Sequence, residues 1–116
     1  MSIPHIDSYQ FGNIVIDGRS HSKDVILLPN RVISNWWRDE GHSLSINDLA
    51  DVLSEKPHGL IVGQGAYSRM QVPDELEAAL KIEGIDLISL PTSEACQEYN
   101  RLSQEGKYAA ALHLTC

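Results

Sequence analysis

Residues 60–65 read Leu60-Ile61-Val62-Gly63-Gln64-Gly65, a short unbroken apolar run closed by two glycines. A run of this kind, with no polar residue alternating in it, is the pattern of a strand covered on both faces, as in parallel sheets. Such a strand needs helices to cover it, and helical periodicity flanks it on both sides. Upstream, Ser45-Ile46-Asn47-Asp48 forms a capping-box-like S-x-x-D, with Asp in place of the usual Glu. Ile46, Leu49, Ala50 and Leu53 follow at helical spacing, and Pro57-His58-Gly59 ends the segment. Downstream, Pro73 suits the first position of a second helix, with Leu76, Ala79, Leu80 and Ile82 on its inner face and Gly84 at its C-terminal stop. Residues 85–90 read as the next buried strand. Thr92 or Ser93 then caps a third helix that turns Ala95, Cys96, Tyr99 and Leu102 inward, with Gly106 closing it and residues 108–114 forming the last strand.

Helix, strand, helix, strand, helix, strand is the alternation of a layered α/β domain. The first third of the chain reads differently. Tyr9, Phe11, Ile14 and Ile16 are mixed with polar residues, and Asp17-Gly18 marks a hairpin turn. Residues 19–24 displace the next apolar run, Val25-Ile26-Leu27-Leu28, so either the connection is longer or the second strand starts early, and Pro29 closes it. Val32-Ile33 and Trp36-Trp37 suggest one more short extended segment. The expectation is an α/β fold, a single three-layer domain over residues 1–116. Its central sheet is mixed but mostly parallel, with helices on its faces and an N-terminal β-hairpin. The strands at 60–62, 85–90 and 109–114 should be neighbours in one sheet, because crossover connections strongly favour right-handed parallel pairing.

Composition sets the outer bounds. At 116 residues and 12.9 kDa the chain is near the usual size of one domain. Hydrophobic residues make up 42% and charged residues 22%, ordinary globular values that exclude coiled coil and wholesale disorder. Nine Lys and Arg against sixteen Asp and Glu give a formal charge of −7. That balance disfavours nucleic acid and anionic membrane, both of which need a basic face. No apolar run approaches the ~18 residues of a membrane span. The first residues show neither a basic nor an apolar leader region, and two cysteines make no disulfide framework. A cytoplasmic protein with reduced thiols is the expectation.

Three constellations carry candidate chemistry. Gly63-Gln64-Gly65 follows a strand but lacks the third glycine and the adjoining helix of a dinucleotide loop, since Ser68 stands at the third position and residues 69–72 separate it from Pro73. A turn whose backbone N–H groups line a cleft at the strand end is the better reading. Trp36-Trp37-Arg38 concentrates both tryptophans beside a cation. Adjacent residues of an extended segment face opposite ways, so one indole can be core and the other can wall a pocket. Arg38 can bind a carboxylate or phosphate, or serve in a structural ion pair. His113-Leu114-Thr115-Cys116 ends the chain. Strand alternation separates His113 from Cys116, which argues against a nucleophile pair, and H-x-x-C lacks two further ligands for zinc. Cys96 belongs in the core. No Ser-His-Asp pattern, Walker loop or H-E-x-x-H occurs, so no complete catalytic set, cofactor or metal is indicated. The candidate cleft is therefore Trp36, Trp37, Arg38, Gly63, Gln64, Gly65, Thr92, Ser93 and His113. If that cleft is used, a small anion is its ligand, held against the free N–H groups that open the third helix.

Taken in order, Asp17-Gly18, Pro29, Trp36-Trp37-Arg38 with Gly41-His42, Gly63-Gln64-Gly65, Val72-Pro73, Gly84-Ile85, Thr92-Ser93-Glu94-Ala95, Tyr99-Asn100, Gly106 and His113-Leu114-Thr115-Cys116 resemble one family. It is the domain of unknown function 498, or MTH 938-like, family. Its members include an adipogenesis-associated protein and mitochondrial complex I assembly factor 3. The resemblance covers nearly the whole chain and implies a three-layer α/β fold with a central mixed sheet. It brings no established activity and no catalytic residues. Its assembly-factor members imply protein–protein work. The functional expectation is a non-enzymatic protein-binding or assembly-factor-like module with an unknown protein partner. The alternative is a small-anion-binding domain, or an enzyme of unknown reaction, using the cleft at the strand carboxyl ends.

Overall fold

Ala109, Ala110 and Ala111 lie fully buried at the middle of the molecule. A computed structural model describes residues 3–40 and 42–115. The three alanines belong to β8 (Tyr108–His113), the central strand of a five-stranded sheet. The other strands are β4 (Val25–Leu28), β5 (Arg31–Ile33), β6 (Gly59–Gln64) and β7 (Asp86–Leu90), in the order β5-β4-β8-β6-β7. Successive side chains of a strand face opposite ways, and each strand here feeds two cores. Ile26, Leu28, Leu60, Val62, Ala109 and Ala111 pack on one face, while Val25, Leu27, Ile61, Ala110 and Leu112 pack on the other. Small alanines at the centre leave room for bulk supplied from outside the sheet.

That bulk comes from two covering layers. A 3₁₀ turn (Ile46–Leu49) runs into α1 (Ala50–Glu55), and these join α2 (Asp74–Ile82) over the first face through Leu49, Val52, Leu76 and Leu80. Over the second face, α3 (Thr92–Leu102) contributes Ala95, Cys96, Tyr99 and Leu102. It shares that face with a separate three-stranded sheet, β1 (Ile6–Gln10), β2 (Asn13–Ile16) and β3 (Arg19–His21), which contributes Ile6, Ile14 and Ile16. Asn100 of α3 fastens this small sheet. Its side-chain amide accepts the Ile6 N–H at 3.0 Å and donates to the Ile6 carbonyl at 2.8 Å. The total accessible surface is 6274 Å², against roughly 6,300 Å² from mass scaling.

The strands at 60–62, 85–90 and 109–114 do fall side by side, β6 pairing in parallel with both β7 and β8. The sheet as a whole is evenly mixed rather than mostly parallel, because β4 pairs antiparallel with β5 and with β8. The reason lies in connection length. A two-residue link at Pro29-Asn30 forces β4 and β5 antiparallel, whereas parallel neighbours need a crossover. The N-terminal hairpin is likewise a three-stranded sheet. Asp17-Gly18 makes the expected tight turn, with φ of 48° and 81°, the sign pattern of type I′. A second turn at Phe11-Gly12 joins β1 to β2 on a Gly12 φ of 78°, and that pair carries no standard hairpin signature.

Three local expectations are corrected. Ala50 is exposed and Val52 buried, because the opening 3₁₀ turn has three residues per turn and shifts the helical face. Ile82 is 84% exposed at the end of α2. Neither Thr92 nor Ser93 caps α3 through its side chain. The flanking residue is Pro91, and the Thr92 hydroxyl is used elsewhere. The capping pattern at 45–48 is present: the Asp48 carboxylate accepts the Ser45 N–H at 2.9 Å and the Ser45 hydroxyl at 3.0 Å.

Candidate functional site

The antiparallel register of β4 and β8 sets Val25 opposite Leu112. Continued by one residue, it brings Asp24 to His113. His113 Nδ1 lies 2.8 Å from Asp24 Oδ2, and Asp24 Oδ1 accepts the Leu114 N–H at 2.8 Å. Arg38 Nη2 lies 3.2 Å from the same Nδ1, so the imidazole nitrogen faces both a carboxylate that can only accept and a guanidinium that can only donate. Arg38 Nη1 also donates to Asp24 Oδ2, at 2.6 Å. Its side chain is 6% exposed and that of Asp24 16%. Burial pushes the Asp24 carboxyl up, but the hydrogen bonds from His113, the Leu114 N–H and Arg38 outweigh it and hold the pKa below the ordinary carboxylate value.

The segment carrying Arg38 is positioned by backbone and by Trp36. The Trp36 N–H donates to the Asp24 carbonyl at 2.8 Å, after Asn35 turns the chain at a φ of 55°. The Trp36 indole N–H donates to the Asp48 carbonyl at 2.9 Å, so this ring is anchored as well as packed. The Arg38 guanidinium lies 4.9 Å from the centre of the Trp36 ring, a cation–π distance. Alternation along the extended segment divides the tryptophans. Trp36 is 8% exposed and Trp37 is 85% exposed.

Trp36, Trp37, Arg38 and His113 line one cavity of about 550 Å³. That is within the range of small-ligand sites. Lys23, Asp24, Asn35, Asp39 and Thr115 complete most of its wall. None of these five was singled out for the cleft by sequence. Asp24 is the most informative omission. It precedes an apolar run and looks like a strand-start residue, while its partners lie 14 and 89 positions away.

The other expected site residues are placed behind the cavity or away from it. Gly63, Gly65 and Thr92 are buried. The Thr92 hydroxyl accepts the Gly65 N–H at 2.8 Å and donates to the His113 carbonyl at 2.6 Å. Gln64 exchanges two hydrogen bonds with Met70, each of 3.0 Å. These strand-end groups are therefore consumed internally and form a polar node that supports the His113 backbone. Ser93 borders a separate 260 Å³ depression with Tyr9, Cys96 and Asn100. Cys96 is buried, and burial pushes its thiol pKa up to about 12. Gly41 and Cys116 lie outside the described residues. Among the described residues, no group of three or more His, Cys, Asp or Glu side chains is arranged to hold a metal ion. None of their helices is long and apolar enough to cross a membrane.

Known proteins share this arrangement of elements. A solved structure from Rhodopseudomonas palustris is 30% identical, with 97% of this chain and 89% of that chain covered at a TM-score of 0.77. A conserved hypothetical protein from Pyrococcus horikoshii is 26% identical, with 96% and 98% covered at a TM-score of 0.80. A Bordetella pertussis protein described as a Mth938-like domain is 18% identical, with 96% and 85% covered at a TM-score of 0.71. At that identity it speaks to the fold alone. A family model described as a protein of unknown function (DUF498/DUF598) matches residues 6–114. With nearly its whole length matched, the chain belongs to the DUF498/DUF598 family, and its fold is that of the Mth938-like domains.

Proposed function

We propose that this protein is a non-enzymatic, cytoplasmic binding module of assembly-factor-like type, and that a partner protein docks over the Trp37 rim of the cavity. The observation that carries the reading is the contrast between two neighbouring indoles. Trp36 is buried and hydrogen-bonded, whereas Trp37 stands 85% exposed at the mouth of a cavity floored by a fixed ionic network. Tryptophan and arginine dominate the energetics of protein interfaces, because one aromatic anchor buries a large area at little entropic cost. Two further exposed aromatics pair with each other. Phe11 and Tyr67 have ring centres 6.2 Å apart, and they lie on segments that hydrogen-bond to Leu114 and Thr115. A non-catalytic role fits the imidazole. His113 Nε2 is sealed from solvent, and Nδ1 is enclosed by Asp24 at 2.8 Å and Arg38 at 3.2 Å, so neither nitrogen reaches a substrate proton.

The test is affinity capture with the wild-type protein and with Trp37→Ala, followed by mass spectrometry. A partner retained by wild type and lost by Trp37→Ala supports the reading; partners retained equally by both reject it. A small anion in the same cavity is the second reading, favoured by Lys23 and Arg38 in its wall. It ranks second because the Arg38 charge already faces Asp24 at 2.6 Å.

A further inference from the structure

We infer that the cavity receives a cationic side chain from a basic segment of the partner, seated between the Trp37 indole and the Asp39 carboxylate. This rests on the binding-module reading and names the chemistry of its ligand. Arg38 is matched by Asp24 and lies over the Trp36 ring, and Asp24 accepts from Arg38, His113 and Leu114 together. The cavity floor thus presents a balanced pair rather than a net positive charge. An anion entering there would have to compete with Asp24 for the same guanidinium.

The rim differs from the floor. Trp37 offers an open aromatic face, and tryptophan is the best aromatic partner for a cation. The Trp36–Arg38 contact shows the same pairing one residue away inside the fold. Asp39 is exposed two residues along from Trp37, and its backbone is anchored, because its N–H donates to the Asp48 carboxylate at 3.0 Å while Asp48 is held by Ser45. Lys23, the exposed cation of the wall, sits on a flexible stem that can swing into solvent. The whole molecule adds a long-range bias. A formal charge of −7 draws cations towards its clefts and repels both anions and a second copy of itself.

The test uses protein labelled with ¹⁵N at tryptophan, whose two indole N–H signals are assigned with Trp37→Phe. It is titrated at constant ionic strength with N-acetyl-arginine methylamide, with the neutral N-acetyl-glutamine methylamide, and with inorganic phosphate. The arginine compound is expected to shift the Trp37 signal saturably, and the other two are not. Asp39→Asn should weaken that binding about fivefold, as for loss of an exposed charge pair. An unchanged Trp36 signal verifies that each variant is folded. A response to phosphate without one to arginine would overturn the cationic ligand while leaving a binding cavity in place. Equal responses to the arginine and glutamine compounds, or none to any probe, also overturn it. If no probe binds and Trp37→Ala captures every partner that wild type does, the binding-module reading fails as well.

Discussion

Asp24 and His113 meet at 2.8 Å across 89 positions of sequence, joining the start of β4 to the end of β8. The same carboxylate holds Arg38 at 2.6 Å, so removing it leaves a buried cation with its principal counter-charge gone. Asp24→Asn should cost about 2–3 kcal/mol at pH 7, somewhat below the cost of breaking a fully buried pair. The pH dependence follows from the lowered carboxyl pKa of the folded state. Its stabilisation is present above the ordinary carboxylate pKa of about 4 and is lost as pH falls through the folded value below that. Urea unfolding at pH 7, 5 and 3 checks both points. The wild-type advantage over Asp24→Asn should shrink at pH 3; an advantage constant across the series would contradict the ionic role.

Gly63→Ala should destabilise the fold by about 1–3 kcal/mol, the usual cost of overpacking. An added Cβ would lie 2.9 Å from the Thr92 hydroxyl, 2.9 Å from the Leu112 side chain and 3.2 Å from the Thr92 Cα. The leucine end can move, but Thr92 is pinned by Gly65 and His113. Thermal unfolding reads the effect. A melting temperature equal to wild type would show that the polar node yields more easily than its hydrogen bonds imply.

Tyr99→Phe should leave stability unchanged or raise it by about 1 kcal/mol. The ring is fully buried in the second core, and its hydroxyl has no hydrogen-bond partner among the described residues. Deleting an unsatisfied hydroxyl leaves no other group unpaired. Chemical denaturation measures this, and a loss greater than about 1 kcal/mol would indicate that the hydroxyl is bonded, for instance to an internal water.

What was legible in the sequence follows from locality. The run at 60–62, the capping pattern at 45–48 and the Asp17-Gly18 turn each encode their structure within a few residues, and each forms as expected. The division of Trp36 from Trp37 was legible as an alternation, though not which ring faced inward. The Phe11-Gly12 turn was not legible, because Phe11 stands before the glycine where the usual two-residue signature has Asn or Asp. The site was legible in half. Trp36, Trp37, Arg38 and His113 come together in one cavity, but the residue that joins them, Asp24, has partners set only by the β4–β8 register. The expected cleft at Gly65 and Thr92 is filled because a threonine hydroxyl, rather than a ligand, takes up the Gly65 N–H.

Cys96 should react slowly with thiol reagents in the folded protein. Burial withholds access and pushes the thiol to a pKa of about 12, leaving a thiolate fraction on the order of 1 in 10⁴ at pH 8. Ellman's reagent on a Cys116→Ser background isolates this residue. Labelling should become rapid on adding denaturant, and native labelling at the denatured rate would contradict the packing of α3.

The most direct test of the Trp37 rim is a photo-crosslinking residue placed in turn at positions 37 and 82. The two sites are matched in exposure, 85% and 84%, but Ile82 lies on α2 and outside the cavity wall. Irradiation in the native cell, read by mass spectrometry, should give a defined partner adduct from position 37 and none from position 82. The same adducts from both positions, or none from position 37, would contradict a partner docking at Trp37.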